Sequence, residues 1–293
     1  MISAGERLPG TPDPMHRWPG AHGVTIAGDS WGNPSGPLVV LQHGGGQTRH
    51  AWKNVGETLG AVGYYAVAID ARGHGDSDWA PDGIYGQDVM VEDLSCVLKA
   101  LGDRLPVLVG ASMGGATSLV ATGEGRVRAA ALVLVDIAPR VEPEGVLKIQ
   151  QFMDQRPDGF DTLEEVALAI AAYQPHRQPP KDLAGLAKNL RRTPAGKFRW
   201  HWDPRFMTLR REMDKRLARL EACAVALDLP TLLVRGGLSD VLSEAGAAEF
   251  LALCTQSEYV NITDAGHMVA GDRNDIFGRA VIDFLTRTVP AAG

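Results

Sequence analysis

Short apolar runs alternate with helix-like patterns along most of the chain, and this alternation limits the folds that it can adopt. Buried strands joined by helices are typical of parallel βαβ units, in which helices cover both faces of the sheet. The sequence therefore predicts an α/β fold, with strands at residues 38–41, 64–69, 106–109, 131–135, 231–234 and 259–262.

One long stretch of the chain lacks this strand signal. Between about residues 137 and 229 the apolar residues recur only at helical spacing, around residues 145–155, 163–173, 183–190 and 206–220. We therefore predict a core formed by residues 1–137 and 229–293, and a helical lid, or cap, formed by residues 138–228.

Composition and charge exclude several other classes of protein. The 293 residues include 29 basic and 35 acidic side chains, a formal net charge of −6, and no Lys/Arg block that would suit a nucleic acid backbone. No apolar run approaches the roughly 18 residues that a membrane span needs, and the N-terminus has no apolar signal segment. Three widely spaced cysteines indicate reduced thiols. We therefore expect a cytoplasmic protein that binds neither nucleic acid nor membrane, and the composition leaves a homodimer open.

The pattern Gly-x-Ser-x-Gly occurs twice, in two different sequence contexts. Residues 110–114 follow a predicted strand and open an apolar helix, whereas residues 28–32 continue into a loop rich in Gly and Pro. A sharp strand-to-helix turn exposes a serine hydroxyl and requires small neighbours, which the glycines of the first copy supply. We therefore predict that Ser112 is a nucleophile rather than a simple helix N-cap, and that Ser30 is a turn residue.

A serine nucleophile needs a base, and the base needs an acid that fixes its tautomer. His267 follows a predicted strand and has small residues before it, so we predict it as the base. Asp240 also follows a predicted strand, and the chain order Ser112, Asp240, His267 is the one expected at the strand ends of a parallel sheet. Asp136, which ends strand 131–135, is the alternative acid. We favour Asp240.

Backbone N–H groups must stabilise the negative charge that develops on an attacked carbonyl oxygen. Three consecutive glycines at 44–46 follow a predicted strand, and their N–H groups are not shielded by side chains. We predict that Gly45 or Gly46 is one donor. The other is Met113, at the start of the helix behind the serine, where the helix dipole also favours negative charge.

Several side chains are candidates for the substrate pocket. Trp200, Trp202 and Phe206 could line the pocket or form the core of the lid itself, and His43 could reach the pocket from the glycine segment. We interpret His201 as a hydrogen-bonding residue of the lid. The sequence contains no HExxH or CxxC motif and no GxGxxG after a strand, so we expect neither a metal nor an organic cofactor.

Together these residues resemble the α/β-hydrolase superfamily. The matching features are His-Gly-Gly-Gly at 43–46, Asp-Ala-Arg-Gly-His-Gly at 70–75, Gly-Ala-Ser-Met-Gly-Gly at 110–115, the Asp240 loop and Gly266-His267. The resemblance extends from about residue 24 to residue 285. Within this superfamily the chain resembles lid-bearing esterases, non-haem haloperoxidase-like proteins, C–C bond hydrolases and epoxide hydrolases.

The resemblance implies a mostly parallel eight-stranded sheet flanked by helices. It also implies a lid inserted between strands 6 and 7, and hydrolysis without a cofactor. Two positions depart from the pattern. Epoxide hydrolases of this fold use Asp as the nucleophile where Ser112 stands, and many relatives have Pro soon after His-Gly, where this chain has Gly46 and Gln47.

We therefore predict a serine hydrolase that cleaves a small to medium carboxylic ester through an acyl-serine intermediate. A C–C bond hydrolase, a lactonase or a perhydrolase would use the same triad, because a fold does not fix its chemistry. Outside the enzymes, the alternative is a ligand receptor built on a hydrolase scaffold. Multiple turnover of p-nitrophenyl esters, compared with lactones and vinylogous diketones, separates these alternatives.

Overall fold

The central sheet is built largely from the apolar runs of the sequence. The structure, a computed structural model, describes residues 4–174, 183–209, 213–269 and 274–291. In chain order its strands are β1 (Glu6–Arg7), β2 (His16–Pro19), β3 (Thr25–Trp31), β4 (Leu38–Gln42), β5 (Tyr65–Ile69), β6 (Val107–Ala111), β7 (Ala131–Val135), β8 (Leu190–Arg192), β9 (Phe198–Trp200), β10 (Thr231–Gly236) and β11 (Ser257–Ile262).

Eight of the described strands form one sheet, in the order β11-β10-β7-β6-β4-β5-β3-β2. The neighbours from β5 across to β11 pair in parallel, whereas β2 and β3 pair antiparallel at the other edge. This confirms the predicted mostly parallel, eight-stranded sheet. The carboxyl ends of β4, β6, β7, β10 and β11 therefore lie along one edge, where the predicted site residues follow them.

Helices cover both faces of the sheet because its strands carry apolar side chains on both. The helices are α1 (Lys53–Ala61), α2 (Gln87–Ala100), α3 (Met113–Gly123), α4 (Pro143–Asp154), α5 (Leu163–Tyr173), α6 (Met213–Val225), α7 (Glu244–Leu253) and α8 (Asn274–Thr288). In β4, Leu38 and Val40 pack on the side of α2 and α3, whereas Val39 and Leu41 pack on the side of α1 and α8. Successive strand residues point to opposite faces, so both halves of the core draw on the same strands.

We predicted a purely helical insertion between β7 and β10, but its described residues also contain strands. Its hairpin of β8 and β9 joins β1 in a separate antiparallel sheet with the order β1-β8-β9. These strands have three residues each, too few for alternating polarity to show in the sequence. The segment predicted as a helix at 183–190 is a 3₁₀ helix at Leu183–Asn189. Residues 210–212, within the helix predicted at 206–220, lie outside the described residues.

The N-terminal edge strands also differ from the sequence prediction. Ser30, interpreted as a turn residue, lies within β3, and its hydroxyl is 2.8 Å from Nε2 of His16 on β2. The prediction is wrong because β3 continues to Trp31, and the loop rich in Gly and Pro begins only after it. All three cysteines are free thiols. Across the described ranges, no helix combines the length and hydropathy required to cross a membrane.

Candidate active site

Ser112 occupies a strained turn between β6 and α3. Its backbone has φ 47° and ψ −108°, a region that residues other than glycine rarely adopt. The turn is also crowded: a Cβ on Gly110 would lie 2.4 Å from the Gly114 carbonyl carbon, and one on Gly114 would lie 2.5 Å from the Gln42 oxygen. The flanking glycines are therefore required by packing. Strain of this kind persists where the surrounding structure holds it, often at functional sites.

His267 is held by the carboxylate of Asp136. Its Nδ1 lies 2.7 Å from Oδ2 of Asp136, whose side chain is fully buried at the end of β7. The same carboxylate accepts hydrogen bonds from the Gly236 N–H, at 2.8 Å, and from the Ser239 hydroxyl. Three donors therefore converge on this one buried carboxylate. Because Nδ1 carries the proton toward Asp136, Nε2 of His267 is left as a proton acceptor.

The acid that contacts His267 is Asp136 and not Asp240. Our preference for Asp240 was therefore wrong. Its side chain is half exposed and forms an ion pair with Lys148, with Nζ and Oδ2 2.9 Å apart. The loop after β10 uses Ser239 instead, whose hydroxyl reaches Asp136 and also accepts the N–H groups of Val241 and Leu242. The next residue consequently points outward. Chain order alone did not distinguish an acid at the end of β7 from one in the loop after β10.

The glycine segment after β4 presents one N–H group that is available for a substrate. The N–H of Gly44 is bonded to Oε1 of Gln47 at 2.9 Å, and that of Gly46 to Nε2 of His74 at 3.2 Å. Among the described residues, the N–H groups of Gly45 and Met113 have no hydrogen-bond partner. The predicted pair of donors is therefore narrowed to Gly45 and Met113, because Gly46 is already engaged.

Three buried histidines fix the shape of this segment. Nδ1–H of His43 donates to the Gly44 oxygen at 2.8 Å, and its Nε2 accepts the Ala71 N–H at 2.9 Å. On the other side, Nε2–H of His201 donates to the Gly46 oxygen at 3.3 Å, and its Nδ1 accepts the Gly75 N–H. Gly46 is thus held on both sides. Its N–H binds His74 of the core, and its carbonyl oxygen binds His201 of the insertion.

Burial keeps these three imidazoles neutral. Desolvation lowers the pKa of His43 to about 4 and that of His74 to about 3, and it lowers the pKa of His201 well below the ordinary value. Each ring also accepts a backbone N–H, which only a neutral ring can do. His43 is fully buried beneath the glycines and does not line the main cavity, so its prediction as a pocket residue was wrong.

Ser112 and His267 line the same cavity, which has a volume of about 620 Å³. Trp200, Trp202 and Phe206 line it as well, and the two tryptophan rings stack at 5.1 Å. The same aromatic residues also belong to the apolar cluster of the insertion, so both sequence interpretations of them hold. Within the described ranges, no group of three or more His, Cys, Asp or Glu side chains is arranged to hold a metal ion.

The fold and these residues match one family. The alpha/beta hydrolase fold family model matches residues 37–273, and the chain belongs to this family. Its relatives define the class of reaction: the chain is a carboxylic ester hydrolase.

The most informative relatives are bacterial enzymes of similar length. Esterase Rv0045c of Mycobacterium tuberculosis is 31% identical over 265 residues, which cover 87% of this chain and 83% of that protein. The crystal structure of that esterase has a TM-score of 0.71 at 28% identity, covering 94% of this chain and 92% of that one. The 3-hydroxybutyrate-oligomer hydrolase of Cupriavidus necator is 27% identical over 256 residues, covering 83% and 86% of the two chains.

Proposed function

We propose that the chain is a serine esterase whose triad is Ser112, His267 and Asp136. The observation that carries the proposal is the bond from Nδ1 of His267 to buried Asp136, on a histidine that shares a cavity with a strained serine. The carboxylate fixes the tautomer in which Nε2 can accept a proton. The acid proposed here replaces Asp240 because a half-exposed carboxylate paired with Lys148 cannot perform this role.

In the first half of the reaction, Nε2 of His267 takes the Ser112 proton while Oγ attacks the ester carbonyl carbon. The N–H groups of Gly45 and Met113 donate to the resulting oxyanion, and Met113 adds the favourable N-terminal dipole of α3. The tetrahedral intermediate then collapses. The imidazolium gives its proton to the departing alkoxide, and an acyl-Ser112 ester remains.

In the second half, water enters the cavity and loses a proton to Nε2 of His267 as its oxygen attacks the acyl carbon. Collapse of this intermediate releases the carboxylic acid and restores the serine hydroxyl. Asp136 orients the imidazolium and stabilises its charge in both halves.

The volume and lining of the cavity support a substrate of small to medium size. Ligand pockets of 300 to 1,000 Å³ accommodate drug-sized molecules, as an order of magnitude, and this cavity of about 620 Å³ falls within that span. Apolar side chains such as Met153 and Phe206 from the insertion line it beside Gly45. On this basis we propose that the insertion between β7 and β10 acts as a lid over the core.

Substitution of the nucleophile tests the proposal. Ser112→Ala should lower kcat for p-nitrophenyl butyrate by on the order of 10³-fold or more and abolish labelling by a fluorophosphonate, with an unchanged melting temperature. Ser30→Ala is a matched control, because it removes the serine of the other Gly-x-Ser-x-Gly copy. This variant should retain both ester hydrolysis and fluorophosphonate labelling. Labelling that persists in Ser112→Ala, or is lost only in Ser30→Ala, would contradict the assignment. Lactones and vinylogous diketones in the same panel test whether the ester is the preferred bond.

A further inference from the structure

The cavity wall carries an arginine that has no hydrogen-bond or ion-pair partner among the described residues. Arg216 and Arg219 are the only lysines or arginines that line the cavity among the described residues. Arg219 is fully engaged: it binds the carboxylates of Asp88 and Glu124 at 2.6–3.2 Å. Arg216, one turn earlier on α6, forms no hydrogen bond or ion pair with any described residue.

The environment of Arg216 disfavours a guanidinium whose charge is not balanced by a neighbouring anion. Its side chain is partly buried, and desolvation lowers its pKa. Asp88, an acidic residue on the same wall, is bonded to both Arg126 and Arg219. A cation in a mostly apolar cavity loses hydration and gains stability only when an anion enters.

Arg216 lies on the wall of the cavity that α6 forms beside α3. Helix α6 packs along α3, with Cys223 against Gly123. The cavity is lined by Ser112 at the start of α3 and also by Val120, which is about 12 Å further along the helix axis for eight residues at 1.5 Å each. A substrate that fills the cavity therefore places one end at the serine and the other along the wall formed by α3 and α6.

We infer that Arg216 binds an anionic group of the substrate, a carboxylate in the first place, at a position other than the scissile ester. The guanidinium offers a planar pair of N–H donors that match a carboxylate in a bidentate arrangement. This inference rests on the proposed serine esterase and defines its substrate class. The substrates are esters that carry a free carboxylic acid. Examples are monoesters of dicarboxylic acids and hydroxy acids that are acylated on the hydroxyl group.

Matched esters provide the test. Mono-p-nitrophenyl adipate is compared with p-nitrophenyl hexanoate, which has the same chain length without the charge, and a phosphate-terminated analogue separates carboxylate from other anions. 4-Carboxyphenyl hexanoate moves the charge to the leaving group. The wild-type enzyme should prefer at least one anionic ester in kcat/KM over the neutral ester. Free adipate should inhibit hydrolysis of the neutral ester competitively.

Variants at Arg216 isolate the charge. Arg216→Met should reduce the preference for the anionic ester by about 10- to 100-fold, the range for a hydrogen bond to a charged group. It should also abolish inhibition by adipate, while kcat/KM for the neutral ester stays within about threefold. Arg216→Lys should retain part of the preference. Arg279→Met, which removes an exposed arginine on α8 and gives the same net charge, is the control and should behave as wild type.

The outcomes distinguish the two proposals. Failure of the wild-type enzyme to hydrolyse any ester would refute the serine esterase itself. Turnover of the neutral ester with no preference for an anion, or an equal preference in wild type and Arg216→Met, would refute the role of Arg216 and leave the esterase intact. Loss of both activities in Arg216→Met with an unchanged melting temperature would also refute it, because the side chain would then serve catalysis in general.

Discussion

Replacing Asp136 by Asn tests the proposed acid at the level of single hydrogen bonds. Oδ1 accepts the Gly236 N–H, and Oδ2 accepts both the Ser239 hydroxyl and Nδ1–H of His267. Asparagine has one oxygen. If that oxygen keeps the bond from Gly236, its NH₂ group faces Nδ1 of His267, which must then be an acceptor. The ring proton moves to Nε2, and the imidazole cannot accept a proton from Ser112.

The opposite orientation of the amide is also unfavourable. It would restore the acceptor toward His267 but turn NH₂ against the buried Gly236 N–H, leaving a donor unsatisfied at about 1–3 kcal/mol. That energy alone reduces the active tautomer by about 5- to 150-fold. The imidazolium also loses its carboxylate. We therefore expect Asp136→Asn to lower kcat by about 10³- to 10⁴-fold, in line with the loss of about 10⁴-fold when the acid of a Ser-His-Asp triad is changed in this way.

The assay measures initial rates with p-nitrophenyl butyrate for wild type, Asp136→Asn and Asp240→Asn, together with thermal unfolding. Asp240→Asn should retain kcat within about threefold, because the ion pair of Asp240 with Lys148 is exposed to solvent and lies outside the contacts of His267. A loss of 100-fold or more in Asp240→Asn, with Asp136→Asn near wild type, would refute this reasoning. It would require that the loop after β10 rearranges during turnover.

Two further predictions concern the histidines that hold the glycine segment. His201→Ala should lower kcat by about 10-fold with little change in KM, because the Gly46 peptide loses one of its two supports and the neighbouring oxyanion donor moves; an unchanged kcat in a folded variant would show that the core holds the segment alone. Stability should fall as the pH decreases from 6.5 toward 4, because unfolded histidines bind protons there while His43 and His74, with pKa values of about 4 and 3, do not. The slope is up to about 1.4 kcal/mol per pH unit for each histidine. Urea unfolding at several pH values should show a shallower slope for His74→Gln, and an equal slope would contradict it.

The parts of the fold that follow from periodicity were predictable from the sequence. The inner strands are long apolar runs, so their positions and the parallel sheet could be derived from it. The hairpin of β8 and β9 and the edge strand β2 could not, since three or four residues give no measurable alternation. The nucleophile was predictable because the elbow combines a strand, small residues and a helix in a single segment.

The acid was not predictable because the sequence does not give the order of strands in the sheet. β7 lies between β6, which ends at the nucleophile, and β10. Asp136 therefore emerges directly beside Ser112, whereas Asp240 lies four residues beyond β10. A signal was present in Ser239, whose hydroxyl donates to Asp136, but its use depends on knowing which strand is adjacent. The choice between Gly45 and Gly46 likewise depended on His74, 28 residues away in the chain.

The core and the insertion contribute different parts of the proposed site, which explains how one fold can accept different esters. Ser112, Asp136 and His267 all follow strands of the central sheet, so their relative positions are set by the pairing of β6, β7, β10 and β11. The insertion contributes the proposed anion site at Arg216 and one of the two supports of Gly46, through His201. A change of residues on α6 would therefore alter which ester binds while leaving the proton acceptor in place. A change at His201 would act on the oxyanion donor itself. The two substitutions should consequently separate, with Arg216 affecting selectivity between esters and His201 lowering kcat for all of them equally.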